Sequence, residues 1–211
     1  MIADNISDAY LKMLRETLDG HELVQVAEVR HPVVDGKPHE KDSFRKAFEG
    51  FAFPDGRNGA WWIQNRIDAL FQTSGEYWSA MRRNGQWDYI MRALKKMRDK
   101  SLPLWNANRL IATLFDPSKD LHESRGPTPP CMITLSLYPK GPDLSLSAVF
   151  RAQYTDAKAY GNLISLAMLL AQVCSETGFR PSGLYNIAQK ATLKYSKPTA
   201  HALYYALLKG S

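Results

Sequence analysis

Three residues of this chain, Cys131, Arg151 and Asn162, have the types and the spacing best suited to chemistry. A cysteine thiolate is a nucleophile that can form a covalent bond with a substrate. A guanidinium binds phosphate through paired hydrogen bonds and favours the thiolate form of a neighbouring thiol. An asparagine amide both donates and accepts hydrogen bonds, so it can recognise the edge of a base. These properties would suit an enzyme that acts on a nucleotide.

Two strands joined by a turn are predicted to bring the cysteine and the arginine together. Residues 132–139 and 144–150 alternate apolar and small polar side chains, as strands do, and the Lys-Gly-Pro-Asp between them is typical of a turn. A symmetric hairpin pairs Cys131 near Ala152 and leaves Arg151 within one residue of it. A bulge or a one-residue shift of register would place Cys131 and Arg151 side by side. Both registers are compatible with the sequence.

Each of the three residues also has an ordinary structural interpretation. Cys131 would then be a half-buried cysteine at the start of a strand, and Arg151 would belong to a surface ion pair. Asn162 would cap the helix that follows. The other cysteine, Cys174, lies on an apolar helix, where packing is its expected role.

The remaining pattern predicts an α+β fold in a single domain that spans residues 1–211. The apolar spacing and the Gly and Pro breaks predict helices over 6–19, 42–52, 61–72, 86–100 and 156–177, and strands over 22–30 and 110–115. The last helix is apolar on more than one side, so we expect it to be central. Residues 116–129 are predicted to be irregular chain that leads to Cys131.

The segment from about Gln86 to Tyr195 resembles the catalytic core of thymidylate synthases and the related pyrimidine nucleotide hydroxymethylases. In that family a Pro-Cys nucleophile opens a strand, an arginine that binds the substrate phosphate ends the next strand, and an asparagine recognises the pyrimidine. Pro130-Cys131, Arg151 and Asn162 match these residues without a gap.

The resemblance extends to residues on either side. Arg109 resembles the second of two arginines that reach into the phosphate site of the partner subunit. Gly183 and Tyr195 match a glycine and a tyrosine that contacts the ribose, after one extra residue. The resemblance implies that Arg109 and Tyr195 belong to the substrate site. It offers Glu49 and Glu76 as candidates for the catalytic glutamate.

The resemblance implies a mixed sheet with a long buried helix, in a symmetric homodimer. It implies C5 methyl or hydroxymethyl transfer to a uracil nucleotide of the dUMP or UMP type, through a covalent adduct on Cys131. The one-carbon donor would be 5,10-methylenetetrahydrofolate. An asparagine at position 162 favours uracil, because the cytosine-specific relatives typically carry an acidic residue there.

Several positions depart from the family pattern, and they concern mainly the folate side. The family has histidine, serine, aspartate and histidine where this chain has Met132, Ala152, Tyr154 and Leu193. The aspartate contacts the folate, so we expect that half of the site to differ. We also expect the closing carboxyl-terminal region to be reduced. Water that reached the one-carbon intermediate would give hydroxymethylation instead of methylation.

Composition limits the remaining possibilities. A net charge of +6 suits an anionic partner, either a pyrimidine nucleotide or, as an alternative, a nucleic acid bound by the basic helix Gln86–Lys100. A non-catalytic nucleotide-binding relative is a further alternative. The scattered histidines and two cysteines without a CxxC spacing predict no metal site. The first residues lack a signal peptide and no apolar stretch spans a bilayer, so we expect a soluble cytoplasmic protein.

Overall fold

A computed structural model describes residues 1–121 and 129–210 of the chain, the side chain of Trp105 excepted. The helices are α1 (Ile6–Leu18), α2 (Asp42–Gly50), α3 (Gly59–Phe71), α4 (Glu76–Arg82), α5 (Gln86–Arg98), α6 (Pro117–Asp120), α7 (Ala159–Thr177) and α8 (Lys197–Lys209). The strands are β1 (Ile2–Ala3), β2 (Leu23–Val29), β3 (Val33–Val34), β4 (Lys37–Pro38), β5 (Ile111–Thr113), β6 (Met132–Lys140), β7 (Asp143–Phe150), β8 (Gln153–Tyr154) and β9 (Arg180–Thr192).

A mixed sheet forms the centre of the fold. Its strands follow the order β1-β2-β9-β7-β6-β5, and the short β8 continues beside β9 where β7 has ended. The strands β7 and β9 run parallel, whereas β2 with β9 and β6 with β7 are antiparallel. Because β7 and β9 run in the same direction, their carboxyl ends meet at one edge of the sheet. The candidate residues Cys131, Arg151 and Asn162 lie at that edge.

One face of the sheet carries the hydrophobic core. Alternate residues of β7 from Leu144 to Phe150 are fully buried, whereas the serines and the valine between them are half-buried. The long helix α7 packs on the buried face and is buried almost all around, because α3 covers its other side. This is the central position that its apolar sequence predicted.

The predicted α+β class is confirmed, and so are the hairpin of β6 and β7 and the central helix. Each of the other predicted helices and strands is present within a few residues of its expected bounds. The strand β9 was not predicted, although it is the longest strand and lies in the middle of the sheet. Of the segment 116–129, residues 117–120 form a helical turn, and residues 122–128 lie outside the described part. Within the described residues, no helix has both the length and the apolar character needed to cross a membrane.

Candidate functional site

A bulge at the start of β6 brings Cys131 and Arg151 next to each other. Met132 pairs with Phe150, but Thr134 pairs with Val149, so Ile133 is the extra residue of a β-bulge. The Arg151 backbone N–H donates to the Cys131 carbonyl oxygen at 2.9 Å. Of the two registers that the sequence left open, the shifted one is observed.

The Arg151 side chain also holds the segment that leads to the cysteine. Its Nη2 donates to the Pro129 carbonyl at 2.9 Å, and its Nε lies 3.3 Å from the Pro130 carbonyl. A guanidinium carries five N–H groups, so three remain for a ligand. Arg151 therefore positions the chain at Cys131 and still presents a cationic edge to the space beside it.

Cys131, Arg151 and Asn162 line one pocket of about 520 Å³. The pocket lies where β7 and β9 end, and it is closed by the start of α7 and the start of α4. The remaining lining residues are Glu76, Tyr77, Pro129, Ala152, Gln153, Tyr154, Lys158, Lys190 and Thr192. A larger groove of about 860 Å³ between α3 and α7 contains none of the predicted site residues.

Asn162 presents its amide to this pocket. The residue as a whole is 4% exposed, and its amide, which forms no hydrogen bond with the described residues, is not fully enclosed because it borders the pocket. An amide at a cavity wall can both donate to and accept from a ligand. The residue does not cap α7, because its backbone N–H donates within the helix to the Lys158 carbonyl at 2.9 Å. The helix-cap interpretation was therefore wrong.

Positive charge dominates the pocket. Arg151, Lys158 and Lys190 line it, and Glu76 is the acidic residue among the described lining residues. Neither lysine was identified from the sequence. Lys158 could have been found, since it lies four residues before Asn162 and therefore on the same side of α7. Lys190 could not, because the strand that presents it was not predicted.

Burial lowers the pKa of Lys158, and the nearby Arg66 guanidinium lowers it further. The charges of Cys131 and Glu76 oppose this shift. Arg66 itself is 6% exposed, and its Nη1 is fully buried without a hydrogen-bond partner among the described residues. Its guanidinium carbon lies 5.8 Å from the centre of the Tyr77 ring, which borders the pocket. Two poorly neutralised cations therefore lie together on this side of the site.

Buried polar contacts hold the pocket walls in place. The Asp156 carboxylate accepts hydrogen bonds from the backbone N–H groups of Lys194 (2.7 Å) and Tyr195 (2.9 Å). Burial raises the pKa of Asp156 despite these bonds. Gln153 and Asn186 exchange two amide hydrogen bonds, one from each side chain. These contacts join the segment after β7 to β9 and to the chain that follows it.

Two other predicted residues lie outside this pocket. The Tyr195 hydroxyl donates to Asp55 at 2.7 Å, and its ring stacks on Phe53 with the ring centres 4.9 Å apart. Burial, followed by the hydrogen bond to Asp55, raises the pKa of Tyr195 to about 12. Arg109 is exposed at the end of a 3₁₀ turn (Leu104–Arg109) before β5, away from the pocket of its own chain.

The structure places the two candidate glutamates and the second cysteine in different parts of the fold. Glu76 lines the pocket, whereas Glu49 pairs with Arg45 on α2 at 2.7 Å. Cys174 is buried in the core, where burial raises the pKa of its thiol to about 12. This environment suits packing, as the sequence predicted. No cluster of three or more potential metal ligands occurs within residues 1–121 and 129–210.

Comparison of the sequence with models of known protein families finds no match, and comparison with curated proteins finds none either.

Proposed function

We propose that this chain is a thymidylate synthase-like transferase that acts at C5 of a uracil nucleotide through a covalent adduct on Cys131. The observation that carries the proposal is that a half-buried cysteine, a guanidinium and an amide that forms no hydrogen bond with the described residues line one pocket. These are Cys131, Arg151 and Asn162, the three residues on which the resemblance to that family rests. The methyl or hydroxymethyl group is the unit that we expect to be transferred.

The proposed chemistry begins with addition of the Cys131 thiolate to C6 of the pyrimidine. The S–C6 bond forms, and the electron pair of the C5=C6 double bond moves toward the C4 carbonyl, which gives an enolate. C5 is then nucleophilic and takes an electrophile. Loss of the C5 proton restores the double bond as the sulfur leaves C6.

The other pocket residues suit the two ends of a nucleotide. The free N–H groups of Arg151, with the Lys190 ammonium, can bind the phosphate. The Asn162 amide can accept from the ring N–H and donate to a ring carbonyl, which is the pattern that uracil presents. The nucleotide would therefore lie with its phosphate toward Arg151 and its base toward α7.

The residue at position 154 does not offer the folate contact that the resemblance implies. The ring edge of a pterin presents N–H donors, which need an acceptor such as a carboxylate. Position 154 is instead a tyrosine that is 42% exposed, and the Lys158 ammonium lies 5.7 Å from its ring centre. Neither side chain offers an anionic acceptor. The test of the proposal is therefore run both with and without methylenetetrahydrofolate.

A homodimer is part of the proposal. The sheet face opposite the core carries a row of partly exposed side chains across the strands. The row consists of Val26, Ile187, Val149, Thr134 and Thr113, and Val26 is 41% exposed. A second copy packed on this face would bury the apolar members, and symmetric pairs are the commonest oligomers. The resemblance implies that Arg109, which is exposed, would reach the partner's site in such a dimer.

The test is tritium release from 5-tritiated dUMP and UMP, with and without methylenetetrahydrofolate. We expect wild-type protein to release tritium, because attack at C6 makes the C5 hydrogen exchangeable. Cys131→Ser should abolish the release, and Cys174→Ala, the matched control, should retain it. Tritium release in the absence of folate would show that the sulfur attacks the base and that this exchange does not need the cofactor. Nucleotide binding without any release would contradict the proposal and favour a non-catalytic binding protein.

A further inference from the structure

We propose that Lys158 is a second catalytic residue, whose ammonium stabilises and protonates the O4 enolate oxygen formed when Cys131 adds to the base. This inference rests on the proposed function and adds a proton donor to it. Neither the resemblance nor the spacing of the sequence identified this lysine.

Lys158 lies immediately before α7, on the side of the pocket where Asn162 is proposed to bind the base. Lys158 is the residue that precedes α7, and its carbonyl accepts the first helical hydrogen bond from Asn162 at 2.9 Å. Residues four apart are neighbours on one side of a helix, and both side chains line the pocket. If Asn162 holds the ring N–H and an adjacent carbonyl, the ammonium one turn earlier lies beside the same edge of the base.

The ammonium has no ion pair in direct contact with it. Among the described residues, Lys158 forms no salt bridge and no side-chain hydrogen bond, the centre of the Tyr154 ring lies 5.7 Å from its Nζ, and the charges of Cys131 and Glu76 act on it from other walls of the pocket. The buried Arg66 guanidinium adds a second positive charge on the same side. An unpaired cation in a confined site is costly unless an anion appears there. The enolate is an anion that exists only during the reaction, so this arrangement favours the transition state over the ground state.

The environment of Lys158 also suits proton transfer. Burial and the charge of Arg66 lower the pKa of Lys158, which makes its ammonium a better acid than an ordinary lysine. The groups that face it come from every neighbouring element. They are Arg66 on α3, Glu76 and Tyr77 on α4, Cys131 before β6, Arg151 and Tyr154 after β7, Lys190 on β9 and Lys194 after β9.

Every proton that moves in the proposed step is accounted for. As the S–C6 bond forms, the displaced electron pair reaches O4, and O4 takes a proton from the Lys158 Nζ. The product is an enol and a neutral amine. When C5 takes its electrophile, the C4 carbonyl re-forms and the enol proton returns to the Nζ. No oxidant or reductant is required, and a solvent proton is sufficient as the electrophile in the exchange reaction.

The experiment measures tritium release from 5-tritiated dUMP as a function of pH, together with the Kd for dUMP. We expect Lys158→Met to slow the release roughly 100-fold or more with little change in Kd, because general acid catalysis contributes on that scale. In wild-type protein the rate should fall as the pH rises through the lowered pKa of Lys158. Lys158→Arg should retain part of the rate without that alkaline fall, because a guanidinium stays charged. The control Lys190→Met, in the same pocket, should weaken binding more than it slows release.

The outcomes separate this inference from the proposed function. If wild-type protein releases tritium and Lys158→Met matches its rate, or changes only Kd, the role of Lys158 is overturned and the function stands. If wild-type protein binds dUMP but releases no tritium, both are overturned. The Lys158 side chain does not cap α7, so we expect the variants to fold. Should Lys158→Met fail to fold, a wild-type alkaline fall that persists in Lys158→Arg would overturn the inference.

Discussion

Arg151 has two roles that its sequence position does not distinguish. It holds the Pro129 and Pro130 carbonyls that lead to Cys131, and it presents free N–H groups to the pocket. The same residue therefore positions Cys131, the proposed nucleophile, and contributes to the positive charge. A substitution at Arg151 should affect both binding and the reactivity of the cysteine.

We predict that Arg151→Gln weakens dUMP binding roughly 10- to 100-fold, because hydrogen bonds to charged groups contribute about 1.5–3 kcal/mol. Isothermal titration of dUMP into the protein measures the change in Kd. Arg180→Gln is the matched control, since Arg180 is exposed and pairs with Asp143 at 2.9 Å, far from the pocket. Equal Kd values for Arg151→Gln and wild type would contradict the phosphate role.

We predict that Asn162→Asp shifts the preference from uracil toward cytosine nucleotides. A carboxylate accepts from the exocyclic amine of cytosine, but it cannot donate to the carbonyl that uracil presents at the same position. The ratio of tritium release from 5-tritiated dCMP and dUMP measures the preference. A ratio that does not change would show that Asn162 does not contact the base.

At the scale of single residues, the sequence predicted which side chains could form a site but not which groups surround them. The family resemblance, and not the spacing alone, was the reason to expect Cys131, Arg151 and Asn162 in a common site. The surroundings of the Asn162 amide depend on side chains that other elements present to the pocket, so no spacing could reveal them. The buried Arg66 beside Lys158 likewise depends on how α3 packs on α7.

At the scale of elements, the bulge and the strand β9 determine the geometry of the site. The hairpin was predicted, but a bulge at Ile133 could not be, since the local alternation is compatible with either register. The strand β9 was missed because Pro181, Gly183 and several amides interrupt its apolar alternation. Its pairing with β2, β7 and β8 compensates for weak local propensity.

Close packing of α3 against α7 is predicted to require glycine at position 161. A Cβ there would lie 2.9 Å from Cγ of Arg66 and from the Trp62 carbonyl oxygen. Gly161→Ala should therefore lower the free energy of unfolding by about 1–3 kcal/mol, which urea denaturation measures. Gly50→Ala is the control, because nothing lies within 4 Å of its added Cβ. A Gly161→Ala variant as stable as wild type would contradict this account of the contact.

At the scale of the whole molecule, the two faces of the sheet have different roles. One face carries the core with α7, and the opposite face presents the row from Val26 to Thr113. The composition indicated an anionic partner, and the cationic lining of the pocket is consistent with it. The composition could not show which face would be free, since that depends on where the helices pack.

We predict that the protein is a dimer in solution and that Ile187→Lys makes it a monomer. Ile187 lies between Val26 and Val149 in the middle of the free face, so a buried lysine there would be unpaired at the interface. Sedimentation velocity over a range of protein concentrations measures the mass. Tyr205→Lys on α8, where the side chain is 59% exposed, should remain a dimer. A monomeric wild-type protein would contradict the proposed interface.

The most direct test of the central claim is the intact mass of the denatured protein after incubation with 5-fluoro-dUMP and methylenetetrahydrofolate. Addition of the thiolate to C6 is reversible by itself, but once C5 has also bonded to the one-carbon unit, the fluorine cannot leave as a proton and the sulfur stays bound to C6. The account predicts that wild type and Cys174→Ala gain the mass of the nucleotide together with the folate-linked one-carbon unit, and that Cys131→Ser gains none. An adduct that persists in Cys131→Ser, or a wild-type mass that stays unchanged although both 5-fluoro-dUMP and methylenetetrahydrofolate bind, would contradict it.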